Sequence, residues 1–487
     1  MSQAFKQAFL TCMLIGSAGC NWSAFNNYER DAPIRVYDAP TNYGKPGFGS
    51  VLTTLTTNYT GSQRSIAIAS AGPDSAIVFA RLWNGKHVTE DAFTRCKNKD
   101  CAAGAGVGSA LIAFPSWALG TPQQQDGCVF APALGKSFVF CDSDTNANQS
   151  FSLELDQVVD KGNYAGFSGA GLPLKHPLGV FLLGAYQISS RTDATSHGRL
   201  FYQPDFQPEG ERSDGDEVPQ LEELPLRDPA TGELFADDPD AGDLGFAMAA
   251  LPSEDGTLWI AVGQPSRGRV LVAIYDRTVV GGLENKLSTV ACLDSPAGGG
   301  SFGKRVAMGD INGDGLPEIA VGSDAVDSNE TVFVYPGDAL PMASPTSCPA
   351  WGAHPLVVIC SEGVRDARCE NSAFGAAVAF GDVNGDGAQD LLVGAPLAEV
   401  SGKQAAGAVW LFAGNSSGRG ALLDLDGATN LHADNKAQAH LGATVAALHT
   451  RDRDEPVASA PNEDRLFTFM CSELEDDVSG NTQCLPK

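Results

Sequence analysis

The sequence predicts an all-β fold, a seven-bladed β-propeller of four-stranded antiparallel blades over residues 34–475. Three observations carry this expectation. An Asp-rich loop occurs twice in the same setting. Weaker copies of that setting recur along the chain. The recurring runs are short, apolar and rich in β-branched residues, as strands are.

The two loops come first because they are the most specific. Asp310-Ile311-Asn312-Gly313-Asp314-Gly315-Leu316-Pro317-Glu318 leads into Ile319-Ala320-Val321-Gly322. Asp382-Val383-Asn384-Gly385-Asp386-Gly387-Ala388-Gln389-Asp390 leads into Leu391-Leu392-Val393-Gly394-Ala395-Pro396. A Phe-Gly pair and a short apolar run precede each: Phe302-Gly303 with Val306-Ala307-Met308, and Phe374-Gly375 with Val378-Ala379-Phe380. Oxygen-bearing side chains stand at loop positions 1, 3, 5 and 9: Asp310, Asn312, Asp314 and Glu318, then Asp382, Asn384, Asp386 and Asp390. Leu316 and Ala388 hold position 7, where only a main-chain carbonyl can serve. Six to eight oxygens in flexible geometry are what Ca²⁺ accepts, and glycine at position 6 allows the turn. Two calcium sites are therefore expected. An EF-hand is excluded, because it needs Glu at position 12 and flanking helices; here that position is Val321 or Val393, inside a strand-like run. Two metal-free Asx-rich turns would explain one loop more readily than two matched ligand sets.

The weaker units share a frame of a leading Gly beside an apolar residue and two following apolar runs. They begin at Phe48-Gly49, Val107-Gly108, Phe167-Ser168-Gly169 and Leu244-Gly245, with a seventh at Leu441-Gly442. Seven units roughly sixty to seventy-five residues apart are a repeat architecture, and several short strands per unit favour a propeller. The first run of each unit is rich in Gly, Ala and Ser, as in Gly375-Ala376-Ala377-Val378-Ala379, which suits the crowded axis of a ring.

Phe-Gly, an Asp-rich loop and Gly-Ala-Pro together resemble the FG-GAP repeat of integrin α-subunit propellers, over about residues 34 to 470. The resemblance implies seven blades, calcium in the Asp-rich loops on one face, ligand uptake on the opposite face, and an N-terminal strand that closes the ring. Ile34-Arg35-Val36-Tyr37 matches that strand. Unit four keeps only Ser253 and Asp255 with Trp259 in place of the last acid, and unit seven has Arg451 at position 5, so neither is expected to bind metal. Tyr186, Arg191, His197 and Arg267 fall in the loops after the second strands of units three and four, which the resemblance places on the ligand side.

At the start, Lys6 precedes a short apolar stretch, Ala8 to Ile15, ending in Ser17-Ala18-Gly19-Cys20. This reads as an export signal over residues 1–20, too short to span a bilayer. Small residues before a cysteine resemble a bacterial lipoprotein cleavage box, with Cys20 lipidated; ordinary signal cleavage is the alternative. Residues 21–33 form a polar tether. The chain is expected at the outer membrane or cell surface, or otherwise in the periplasm or medium, attached to membrane through a lipid only.

Twelve cysteines are present. Removing Cys12 with the signal and Cys20 by lipidation leaves an even set, as an oxidising compartment favours. The expected pairs are Cys96 with Cys101, Cys128 with Cys141, Cys292 with Cys348, Cys360 with Cys369, and Cys471 with Cys484, the last pinning a C-terminal tail over residues 476–487 to the propeller. Zinc is disfavoured because no Cys-x2-Cys spacing occurs.

The formal net charge of −27 argues against nucleic acid, which needs Lys/Arg patches. Residues 205–243 hold fourteen acids and two Arg with Pro and Gly throughout, and read as a solvated insertion loop. No catalytic set emerges. Gly299-Gly300-Ser301-Phe302-Gly303 fits a serine-hydrolase pattern, and Gly298, Gly300 and Gly303 fit a dinucleotide pattern. Both need a following helix, and a strand follows here. The seven His are scattered. The functional expectation is a non-enzymatic adhesion module for a protein or glycan. A polysaccharide lyase or hydrolase, or a purely structural surface lipoprotein, is the alternative.

Overall fold

The strand Leu258–Gln264 shows why this chain stacks its sheets. Every residue in it is buried, and successive side chains point to opposite faces of a strand. Leu258, Ile260 and Val262 join Leu182 and Leu200 of the preceding unit in one core cluster. Trp259 and Ala261 join Ile319 and Val321 of the following unit in another. Leu391 and Val393 likewise pack with Ala320 and Val332, while Leu392 packs with Leu441 and Ala458. A sheet apolar on both faces needs a neighbour on each side, and a closed ring supplies one to every sheet. Burying each large side chain contributes roughly 1.5–3 kcal/mol.

The computed structural model describes residues 34–39, 46–59, 62–70, 77–83, 87–89, 93–94, 110–117, 125–132, 136–141, 151–154, 166–189, 196–203, 221–237, 242–253, 256–296, 302–323, 331–339, 355–360, 367–369, 371–415, 422–433, 436–449, 453–469, 474–476 and 482–484. These residues form an all-β propeller of four-stranded antiparallel blades. One blade runs Gly166–His176, Gly179–Ser189, Ser196–Tyr202 and Glu222–Glu223; the next runs Met248–Pro252, Leu258–Gln264, Arg269–Tyr275 and Leu287–Asp294. The two loop-bearing blades are Arg305–Gly309, Glu318–Ser323, Thr331–Tyr335 and Leu356–Ile359, then Ala377–Gly381, Asp390–Ala395, Ala408–Gly414 and Leu423–Leu431. The last blade runs Val445–His449, Asp454–Ala460, Arg465–Phe469 and, outermost, Ile34–Asp38.

Five separate four-stranded sheets are thus seen among the described residues, not the seven expected. The two N-terminal units are merged in one nine-stranded sheet, in which Val51–Tyr59 and Gln125–Ala131 meet at a single pair, Asn58 with Gln125. The first strands of successive units nevertheless lie side by side in an unbroken circuit. It passes from Val51–Tyr59 through Ile112–Trp117, Gly166–His176, Met248–Pro252, Arg305–Gly309, Ala377–Gly381 and Val445–His449, and returns to Val51–Tyr59. The Gly- and Ala-rich runs therefore converge at the axis.

Closure at the last blade is well tied. Ile34–Asp38 pairs in register with Arg465–Phe469. Asp38 meets Arg465 at 2.6 Å, and Asp464 accepts from the Gly47 and Phe48 N–H groups at 2.6 and 3.0 Å.

Neighbouring blades approach through glycine. A Cβ built on Gly184, Gly263, Gly322 or Gly394 would run into the carbonyl oxygen of Gly245, Gly303, Gly375 or Gly442 respectively. The acceptor is each time the leading glycine of the next unit. The apolar residue before that glycine is a core anchor: Leu244, Phe302, Phe374 and Leu441 are fully buried.

The acidic stretch 205–243 departs from the expected solvated loop. Within it, Glu222–Glu223 supplies the outer strand of a blade, and Leu221, Leu224, Leu226 and Phe235 are buried. The acids are spaced so that the leucines between them can turn inward. Cys360 and Cys369 are joined in a disulfide. Cys128 and Cys292 each take part in a further disulfide, and Cys128 lies directly opposite Cys141 in the strand register. Cys484 lies in the short strand Thr482–Cys484. Cys20, Cys96, Cys101, Cys348 and Cys471 lie outside the described residues, as do the signal and the tether. Among the described residues no helix is long and apolar enough to cross a membrane.

Candidate metal centre

Each Asp-rich loop turns between the first and second strands of its blade, in a hairpin whose register pairs Gly309 with Glu318 and Gly381 with Asp390. The first carboxylate organises the turn. Asp310 accepts from the N–H groups of Gly313, Asp314 and Gly315 at 2.7, 3.2 and 2.9 Å. Asp382 repeats this with Gly385, Asp386 and Gly387 at 2.8, 3.0 and 3.0 Å. Both loops then take two smaller steps: Asn312 accepts from Asp314 N–H and Asp314 from Leu316 N–H, matched by Asn384 with Asp386 and Asp386 with Ala388. The curl requires left-handed backbone at positions 4 and 6, where φ is 71° and 83° at Gly313 and Gly315. Position 6 was legible as a turn glycine; position 4 is an equal requirement.

The ninth position is buried. Glu318 and Asp390 are 0 % exposed. Glu318 accepts from Ile311 N–H at 3.0 Å and Gly337 N–H at 3.2 Å. Asp390 accepts from Val383, Asn384 and Gly414 N–H at 2.8, 3.1 and 3.0 Å. Burial pushes Glu318 up to about 7 against those hydrogen bonds, with Asp314 and Asp310 adding repulsion. Asp390 is likewise pushed up to about 7 by burial, with Asp386 adding to it. Burial also raises Asp382. Negative charge is thus gathered where it is poorly solvated, which a cation would relieve.

The donor set fits a hard cation. Among the described residues no group of three or more His, Cys, Asp or Glu side chains is closed around one point. Instead, the position-3 amide stands between two carboxylates. Asn312 Nδ2 donates to Asp314 Oδ2 at 2.9 Å and Glu318 Oε1 at 3.3 Å. Asn384 Nδ2 does the same to Asp386 Oδ2 at 3.2 Å and Asp390 Oδ1 at 3.5 Å. Oxygens of positions 5 and 9 therefore converge on a point held by a partly positive N–H₂ group. With all ligands oxygen and none sulfur or imidazole, the set suits calcium over zinc or copper.

In unit four, Ser253 Oγ donates to the Gly315 carbonyl of the neighbouring loop at 2.7 Å, so it acts as a tether between blades. In an up-and-down blade the first-to-second turns lie on one face, and the second-to-third and inter-blade connections on the other. Seven non-glycine residues have positive φ among the described residues: Asn371, Ala373, Ser401, Ala405, Gln438, His440 and Asp464. All seven lie in connections of the face opposite the Asp-rich loops, in the last two blades. Sequence reasoning put the ligand guess three blades earlier, in loops of units three and four, but Tyr186 lies within the strand Gly179–Ser189 and His197 within Ser196–Tyr202. There, Tyr186 packs against Phe246 with ring centroids 4.6 Å apart, burial raises its phenol, and Arg267 is exposed. The His197 side chain and Arg191 lie outside what is described. No signal in residue type marks the seven strained positions, since none is glycine.

A ring of four-stranded sheets with paired Phe-Gly and Asp-rich hairpins defines an all-β propeller of repeated units. The FG-GAP repeat family matches residues 302–335 and 374–412. Integrin alpha-PS2 of Drosophila melanogaster is 29% identical over 184 residues, 36% of this chain and 12% of that protein. Phosphatidylinositol-glycan-specific phospholipase D of Bos taurus is 29% identical over 237 residues, 45% of this chain and 26% of that enzyme. The chain thus spans well under a third of the length of these relatives. The crystal structure of BBS1N in complex with ARL6DN, soaked with lead, aligns over 90% of this chain and 97% of that one, at 11% identity and a TM-score of 0.44. The chain is an integrin-like FG-GAP-repeat propeller.

Proposed function

We propose that this protein is an exported, lipid-anchored, calcium-binding propeller of seven blades that binds a protein or glycan on the face opposite its Asp-rich loops. The observation that carries the reading is the division of labour between faces. Matched oxygen-ligand loops occupy one face, and the strained backbone of the last two blades occupies the other. Non-glycine residues held at positive φ cost roughly 1–3 kcal/mol each and persist where the surroundings demand them, often at ligand clamps. The seven-blade count is supported by the unbroken circuit of first strands, with the nine-stranded sheet taken as two blades fused at one pair. Calcium in this reading is structural. It would be held by Asp310, Asn312, Asp314, Glu318 and the Leu316 carbonyl, and by Asp382, Asn384, Asp386, Asp390 and the Ala388 carbonyl.

The test is thermal unfolding with and without calcium. At a calcium concentration ten times the dissociation constant, one site adds about 1.4 kcal/mol of stability. Asp386→Ala should lose that increment in calcium and melt like the wild type in chelator; equal losses in both conditions would remove the metal assignment. For the anchor, Cys20→Ala should move the protein from the membrane to the soluble fraction on cell fractionation, and unchanged membrane association would refute lipidation.

The similarity to a phospholipase D supports a second reading, a hydrolase or lyase built on the propeller. Turnover of phospholipids or acidic polysaccharides by the purified chain, lost on mutation of an opposite-face residue, would favour it over adhesion.

A further inference from the structure

We infer that the two Asp-rich loops are one coupled unit, in which a calcium ion held by either loop raises the affinity of the other through the residue pairs Gln389–Asp390 and Gly414–Asn415. This rests on the calcium reading above. Each pair places one residue on each loop. Asp390 is the buried ninth residue of the second loop, and Gln389 beside it grips the first. Gln389 Oε1 accepts from the Asp310 N–H at 3.0 Å, and the Gln389 N–H donates to the Asp310 carbonyl at 3.0 Å. Gly414 N–H donates to Asp390 Oδ1 at 3.0 Å. Its neighbour Asn415 donates through its N–H to the Ile311 carbonyl at 2.7 Å.

The main chain at positions 1 and 2 of the first loop is thereby set by the residues that flank and hold the second loop's buried acid. Consecutive peptides are rigid planes, so a shift at Asp390 is passed to Gln389 and one at Gly414 to Asn415. The packing leaves little slack. A Cβ on Gly309 would meet Gln389 Oε1 and the Phe380 side chain, and one on Gly414 would meet the Gln389 and Ile311 carbonyl oxygens. Drawing the second loop's oxygens onto a cation therefore fixes the frame on which the first loop closes, and coupling between binding sites is reciprocal.

The same clamp recurs one blade on: Asp454 Oδ2 accepts from the Asp382 N–H at 2.9 Å, and the Asp454 N–H donates to the Asp382 carbonyl at 2.7 Å. Blade seven carries no matching ligand set, so the chain of coupling ends there. An acceptor oxygen from the next blade, amide or carboxylate, is the shared element.

The test is calcium titration by calorimetry on the full chain and on Asp314→Ala, Asp386→Ala, Gln389→Ala and Gln389→Glu. Each aspartate variant isolates one site. The product of the two wild-type association constants should exceed the product of the two isolated-site constants by about fivefold or more. In Gln389→Ala both sites should remain, with that excess falling toward onefold. Gln389→Glu, which keeps the acceptor oxygen as Asp454 does, should retain it. Two wild-type sites whose constants equal the isolated ones would overturn the coupling and leave the calcium reading standing, as would a full excess in Gln389→Ala. No binding heat at millimolar calcium, with no rise in melting temperature, would overturn both.

Discussion

Replacing Phe374 by alanine is expected to destabilise the fold by about 3–5 kcal/mol, the range for emptying a large aromatic site in a core. Phe374 is 0 % exposed. It stands edge-on to Trp410, with centroids 5.8 Å apart at 84°, and to Phe412, at 6.1 Å and 81°. Aromatic pairs in this arrangement hold energy beyond their buried area. The site collapses poorly, because Trp410 and Phe412 are fixed on a central strand between two others. A urea-unfolding midpoint, with the slope unchanged, measures the loss. Phe302 packs against Phe333 at 5.8 Å and Tyr335 at 6.4 Å in the blade of its own unit, so Phe302→Ala should cost a similar amount. A loss under about 1 kcal/mol at both positions would contradict the role given to the Phe-Gly pair, given the usual range.

The second large effect is expected from one added methyl. Gly394→Ala should destabilise by about 3 kcal/mol, the upper part of the overpacking range. The Gly394 backbone is not left-handed, so alanine meets no conformational penalty there. It would even gain about 0.4–1 kcal/mol from a stiffer unfolded chain. The cost comes from the Gly442 carbonyl, a backbone atom that cannot rotate away as a side chain could. Gly402→Ala is the control in the opposite sense. Nothing lies within 4 Å of its added Cβ but its φ is +77°, so the penalty there is conformational and local. Comparable melting temperatures for Gly394→Ala and the wild type would show that the blades can separate at no cost.

How far residues alone could be read follows from what each kind of signal encodes. The Asp-rich loops and the Phe-Gly pairs were legible because the hydrogen-bonded curl of the loop and core anchoring both demand particular side chains at fixed spacing. The closing strand Ile34–Asp38 was legible only through the resemblance, which implies an N-terminal strand that completes the last blade. The outer strand Glu222–Glu223 was hidden, because a two-residue edge strand in an acidic segment has no period to detect. The contact of Gly394 with Gly442 was hidden for another reason: glycine in a strand names a close approach without naming its partner. Gln389 and Asn415 were missed because they work through main-chain atoms or a single amide oxygen, for which many residue types would serve. The strained positions opposite the loops depend on backbone angle, and a residue such as Gln438 or His440 does not announce that.

The pairing of Ile34–Asp38 with Arg465–Phe469 has a consequence for how the molecule is made. Of the described strands, the earliest made finds its partner only among the last of them. Throughout synthesis the ring stays open. Until the two ends meet, each offers unpaired backbone that another chain could capture. Contacts this distant in sequence are also the slowest to form. Growing chains should therefore be most exposed to misassembly, or to exchange of this strand between copies, in the interval between the appearance of residue 469 and capture of the waiting N-terminal strand.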